Sequence, residues 1–198
     1  MDAVKEEIAQ ICARLIAEEG LGYGAAKQRA VRQLGLPQRT ALPANDQVEA
    51  ALEEYLALFC SDTQPGELRA LRNLALVWMR RMEAFSPQLS GAVWRGTATR
   101  LNDIHIQLYC DDPKAAELAL IDQGVRYDVQ LGQDAQGRPY DVLSIQVMSP
   151  ALGGFIGVHL SVRTFRERHG TLIADSRGRS AEGGIAALQK ILESENDV

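Results

Sequence analysis

Cysteine is scarce and widely spaced. Cys12, Cys60 and Cys110 are the only three, odd in number and far apart, with no CxxC pair and no finger spacing. This argues against a disulfide scaffold and against structural zinc. No apolar run is long enough to cross a bilayer, and no signal peptide stands out. A soluble cytoplasmic protein without a membrane partner is the expectation. Positive charge is not in excess: 21 Lys and Arg face 26 Asp and Glu, a net charge of −5, so the chain has no global basic footprint for nucleic acid. It also lacks internal repeats, low-complexity tracts and a P-loop. What is present is ordinary globular composition, 46% hydrophobic and 24% charged over 198 residues. That length suits one compact domain, or one domain with a helical appendage.

The first third reads as helical. Ile8, Ile11, Cys12, Leu15 and Ile16 recur at helical spacing over residues 3–18. Gly20, Gly22 and Gly24 break that helix. A second spans residues 25–34 and ends at Gly35-Leu36-Pro37. A third opens near Pro43, capped by Asn45 or by an Asp46–Glu49 capping box, and carries the stripe Val48, Leu52, Tyr55, Leu56 and Phe59. Ala30 to Leu36, followed by Arg39-Thr40, resembles the turn of a helix-turn-helix. A recognition helix from Pro37 would meet Pro43 within two turns, too short for a major groove. Residues 1–65 are acidic as well, with six Lys/Arg against ten Asp/Glu. DNA is therefore disfavoured as a partner, and a small helical bundle is the favoured reading. The polar stretch 61–66 is the boundary, dividing a helical segment, 1–63, from a second domain, 64–198. A fourth helix over 67–85 places Arg69, Arg72 and Arg80 on one face, read as solvated or as meeting a polyanion.

From residue 89 the pattern turns to strands. Residues 92–95 and 104–109 read as strands flanking 96–102. A helix follows Asp112-Pro113 and ends at Gly124. Residues 125–131 and 140–148 read as a hairpin, 155–164 as a further strand and 181–192 as a last helix. The final residues are polar and read as frayed. The class is α/β (α+β).

One stretch suggests chemistry. Gly91-Ala92-Val93-Trp94-Arg95-Gly96-Thr97-Ala98-Thr99-Arg100-Leu101-Asn102-Asp103-Ile104-His105 resembles the signature of the minimal nucleotidyltransferases of the polymerase-beta-like superfamily. The family pattern is Gly-Ser, three residues, Gly, a short stretch, then Ser-Asp-apolar-Asp. The resemblance covers residues 66–165 and implies a mixed sheet with helices on one side. It also implies transfer of a nucleoside monophosphate from a nucleoside triphosphate to a hydroxyl. A glycine turn would bring backbone N–H groups to the triphosphate. Carboxylates at i and i+2 of one strand face one side, and a third on a neighbouring strand completes a two-magnesium site.

This chain departs from that pattern three times. Ala92 replaces the serine, His105 the second carboxylate, and His159, in Val158-His159-Leu160, the third. The catalytic and metal candidates are then Asp103, His105 and His159. The nucleotide-binding candidates are Gly91, Ala92, Arg95, Gly96, Thr97 and Arg100, with Lys114 near the same mouth. Asp128 or Asp141 could substitute as the missing carboxylate. Trp94 reads as core or as a stacking platform, and Cys110 as a small buried hydrophobe. Two readings stay open. Either the fold persists without catalysis and holds a nucleotide or a protein partner, or two histidines and a carboxylate form a site for a divalent metal, magnesium or a transition metal, with a ligand set that suits the latter better.

Overall fold

The computed structural model of the chain describes residues 2–134, 136–168, 178 and 180–195. These residues form mixed α/β structure that divides into two compact units. One is Met1–Gly66 with Thr97–Leu101, and the other is Glu67–Gly96 with Asn102–Val198.

The first unit is helical, with α1 Asp2–Glu19, α2 Tyr23–Gln33 and α3 Asn45–Phe59. The spacing of apolar residues explains its core. Ile8, Cys12, Leu15 and Ile16 of α1 bury against Ala26, Ala30 and Val31 of α2 and Val48, Leu52 and Leu56 of α3. Each large aliphatic side chain buried this way contributes roughly 1.5–3 kcal/mol. Gly35, at φ +63°, closes α2, and Leu36 N–H returns to the Val31 carbonyl at 3.0 Å. The start of α3 differs from expectation. Ala44 is its N-cap, and the Gln47 side chain accepts the Ala44 N–H at 2.8 Å. No helix begins at Pro37, because only a turn, Thr40 N–H to Pro37 carbonyl, lies between Leu36 and Asn45.

The second unit begins with α4 Gln64–Arg81 from Glu67 onward and a 3-10 turn at Glu83–Phe85. It continues through β1 Gln88–Ser90, α5 Gly91–Arg95, β2 Ile104–Tyr109, α6 Pro113–Asp122, β3 Asp128–Gln133 and β4 Pro139–Ser149. It ends with β5 Gly154–Arg163, the single turn α7 Phe165–Arg168, β6 Glu182–Gly183 and α8 Ile185–Ser194. Part of the polar C-terminal end, residues 196–198, lies outside the described residues. The strands order as β3-β4-β5-β2-β1-β6. Among the described residues only β2 and β5 run parallel. Among the described residues no helix is long and apolar enough to cross a membrane.

Alternation divides the central strands into two faces. Leu89, Ile104, Ile106, Leu108, Leu143, Ile145, Ile156, Val158, Leu160 and Val162 are all buried on one of them. The other face is polar, and the register sets out its rows. Ser144, His159, His105 and Ser90 align across β4, β5, β2 and β1. One step along, Val142, Ser161, Gln107 and Gln88 align in the same way.

Two expectations are corrected in this unit. Residues 92–95 are helix α5 and not a strand. Gly91 turns the chain at φ +72°, and Gly96 closes the helix at φ +92°. Arg72, expected on a face that is solvated or meets a polyanion, is buried instead. Its guanidinium donates to the Val93 carbonyl at 3.1 Å and the Trp94 carbonyl at 3.2 Å, and it pairs with Glu195. It thereby satisfies carbonyls that the short helix leaves without internal donors.

Candidate functional site

Asp103 stands immediately before β2, His105 within it, and His159 directly opposite on β5. The chain thus brings the three together. His159 Nε2 lies 3.1 Å from Asp103 Oδ2, and its Nδ1 lies 2.9 Å from the Ser144 hydroxyl on β4. The second carboxylate oxygen of Asp103 accepts the Gly157 N–H at 2.9 Å. The His105 and His159 rings stack at 5.1 Å between centroids and 21° between planes.

Two glycines make room for this arrangement. A Cβ on Gly157 would come within 2.7 Å of the Asp103 carboxyl carbon, so only hydrogen fits there. A Cβ on Gly91 would lie 3.6 Å from His105 Cδ2, which places the glycine turn against the imidazole. His105 remains accessible to solvent on its strand, yet its ring is flanked by Gly91 and His159. Loss of water around the ring, and secondarily His159, hold its pKa below the ordinary 6.5, while Asp103 pulls the other way. The neutral imidazole is therefore favoured, and it has a nitrogen able to take a proton.

The other candidates are spread more widely. Gly91, Ala92, Arg95 and Gly96 form α5 and its cap. Thr97 and Arg100 group with the helical unit. Ala92 offers no hydroxyl. Ser90, just before the turn, donates instead to the His105 carbonyl at 3.3 Å. Lys114 pairs with Glu117 on α6 at 2.7 Å. Trp94 donates to the Ser180 carbonyl at 2.8 Å and its ring occupies the space above Gly183. Asp141 lies on the opposite face of the sheet, and Asp128 lies beyond Ser144, so neither joins the three. Ser144 and Gly157 were not singled out from sequence. Ser144 needs the hairpin register to be found. Gly157 carries a local signal, a small residue two places before His159.

A magnesium pair needs several hard oxygen ligands. The three matched positions supply one carboxylate, and both of its oxygens are engaged. Among the described residues no group of three or more His, Cys, Asp or Glu is arranged to hold a metal ion. This donor set does not fit two-magnesium chemistry. What it can do is accept a proton at a neutral imidazole and orient a polar ligand over the sheet. Within the site Asp103 is half-exposed, whereas Ser144 is buried. Two cavities of about 510 and 360 Å³ belong to the helical unit, the first lined by Ile11, Ala51, Tyr55, Leu58 and Phe59 among others, and include none of these residues.

No family model matches the chain, and no curated protein matches it. Among solved structures it is similar to the Cid1 poly(U) polymerase with MgGTP bound, at 13% identity and a TM-score of 0.34 over 48% of this chain and 32% of that one. It is also similar to Cid1 in complex with the UTP analogue UMPNPP, at 13% identity and a TM-score of 0.32 over 50% and 30%. The matched region spans about a third of the length of those chains.

Proposed function

We propose that this chain is a nucleotidyltransferase-related protein that binds a nucleotide on its polar sheet face without two-metal nucleotidyl transfer. The observation that carries this reading is that each oxygen of Asp103 already accepts a hydrogen bond from the protein. Asp103 is the one carboxylate at the three matched positions, and it is bonded to Gly157 N–H and His159. His159 in turn has both ring nitrogens within reach of protein partners. The spacing from Gly91 to His105, and the turn that Gly91 makes beside His105, support a ligand lying over β2.

The active alternative is transfer of a nucleoside monophosphate from a nucleoside triphosphate to a hydroxyl on a small molecule, RNA or protein. One experiment separates the two. The full chain is heated with ATP, GTP, CTP or UTP, each with magnesium, manganese, zinc or a chelator, and label transfer is followed in parallel. Binding raises apparent stability by mass action. The expected result is a rise in Tm with at least one nucleotide, retained in chelator, and no transferred label. Absence of any shift under all conditions overturns the reading. So does metal-dependent transfer that Asp103→Ala abolishes.

A further inference from the structure

Beside Asp103 the polar face ends in an apolar pair. Met148 on β4 and Phe155 on β5 are directly opposite each other, one row beyond Gln146 and Gly157. Odd-numbered β5 residues from Phe155 to Arg163 share the face of His159, and even-numbered β4 residues share the face of Ser144. Phe155 is 69% exposed and Met148 58% exposed, although their strand neighbours Ile145, Ile156 and Val158 are buried on the opposite face. An isolated exposed apolar residue needs no explanation, but a paired aromatic and thioether at the rim of a polar site does.

We propose that Phe155 and Met148 form a base-stacking subsite beside Asp103, with the exposed amide of Gln146 meeting the base edge. This rests on the reading of the sheet face as a nucleotide site and extends it to the occupant's base. Position along the strand supports the assignment. Phe155 lies two residues from Gly157, about 7 Å along β5. Gly157 has no side chain, and the Asp103 carboxylate occupies the space above it. Nothing from β5 therefore stands between the ring of Phe155 and that carboxylate. On the far side, β1 leads into the Gly91 turn two strand spacings or about 10 Å from β5, and that turn abuts His105 on the strand between them. A ligand that reaches from Phe155 to Gly91 must cross Asp103 and His105. The chemistry of the platform matches a base in three ways. An aromatic ring stacks on any base face. A thioether packs favourably at ring edges. A glutamine amide both donates and accepts.

The test compares ATP, GTP, CTP and UTP with inorganic triphosphate, using titration calorimetry on the full chain and on Phe155→Ala and Phe155→Trp. The expected result is that at least one nucleotide binds the wild type more tightly than triphosphate does. Phe155→Ala should weaken that nucleotide by about fivefold or more and leave triphosphate unchanged. Phe155→Trp should restore binding and report it by quenching of indole fluorescence. If nucleotides bind but Phe155→Ala weakens neither probe, or both equally, the subsite is wrong and the nucleotide reading survives. If no nucleotide binds the wild type, both are overturned.

Discussion

The imidazole of His159 approaches the Asp103 carboxylate at 3.1 Å through Nε2, and its Nδ1 faces the Ser144 hydroxyl at 2.9 Å. A carboxylate only accepts, so Nε2 is the donor to Asp103, and in the neutral ring Nδ1 is left to accept from Ser144. The order is the reverse of a hydrolytic triad, in which the serine bonds Nε2 and the carboxylate Nδ1. Ser144 is also buried, so it orients the ring and offers no nucleophile to a ligand. Ser144→Ala should let the Nδ1–H tautomer of His159 grow and should cost about 1 kcal/mol of stability. Ring nitrogen NMR shifts read the tautomer directly. An unchanged tautomer in the variant would assign its control to Asp103 alone.

Gly157 and Asp103 are coupled by space as well as by a hydrogen bond. A Cβ at position 157 would lie 2.7 Å from the Asp103 carboxyl carbon, so Gly157→Ala must displace the carboxylate. The expected cost is roughly 1–3 kcal/mol from overpacking. Asp103→Ala removes the obstacle, and the double variant should therefore cost less than the sum of the single ones. Denaturant unfolding of the four proteins measures the coupling, and strict additivity would contradict the contact.

Arg72 ties three separate parts of the second unit together. One guanidinium serves the carbonyls of Val93 and Trp94 and the carboxylate of Glu195. Arg72→Met leaves the two carbonyls without that donor and Glu195 without its cation, at a cost of about 3 kcal/mol. Arg72→Lys should recover only part of this, because an ammonium lacks the planar fork that spans three acceptors. Chemical denaturation tests both variants. Full recovery with lysine would mean that charge alone matters.

Local periodicity made the helices legible, and distance hid much of the rest. The stripes of α1 and α3 are visible because Ile8, Cys12 and Leu15, or Val48, Leu52 and Leu56, repeat at helical spacing and do bury. Val93-Trp94 carries β-branched and aromatic signals and so reads as a strand. Its conformation is fixed instead by the Gly91 turn and by Arg72, which lies 21 residues away from Val93 in the chain. The same remoteness made Arg72 look solvated, since its acceptors lie outside its own helix. Within the site, Asp103 and His105 share a face by simple alternation, and the motif spacing pointed to His159 on a neighbouring strand. Ser144 was hidden because its place depends on the register of β4 against β5. β6 is two residues long and carries no period to detect.

His105 gives the molecule a predictable response to pH. Dehydration of its ring, then His159, depress its folded pKa below 6.5, against the pull of Asp103. The unfolded chain titrates this residue near 6.5. Between the two values the unfolded state holds more protons than the folded one, so stability rises with pH across that window. The penalty is absent above the unfolded value and complete below the folded value. His105→Gln removes the titrating ring and should flatten this part of the profile. Urea unfolding at about pH 7.5 and about pH 5.5 compares the two proteins. The wild type should lose more stability than the variant on acidification. An equal loss in both would assign the acid sensitivity to other groups and leave His105 without the depressed affinity for protons that its packing against Gly91 and His159 implies.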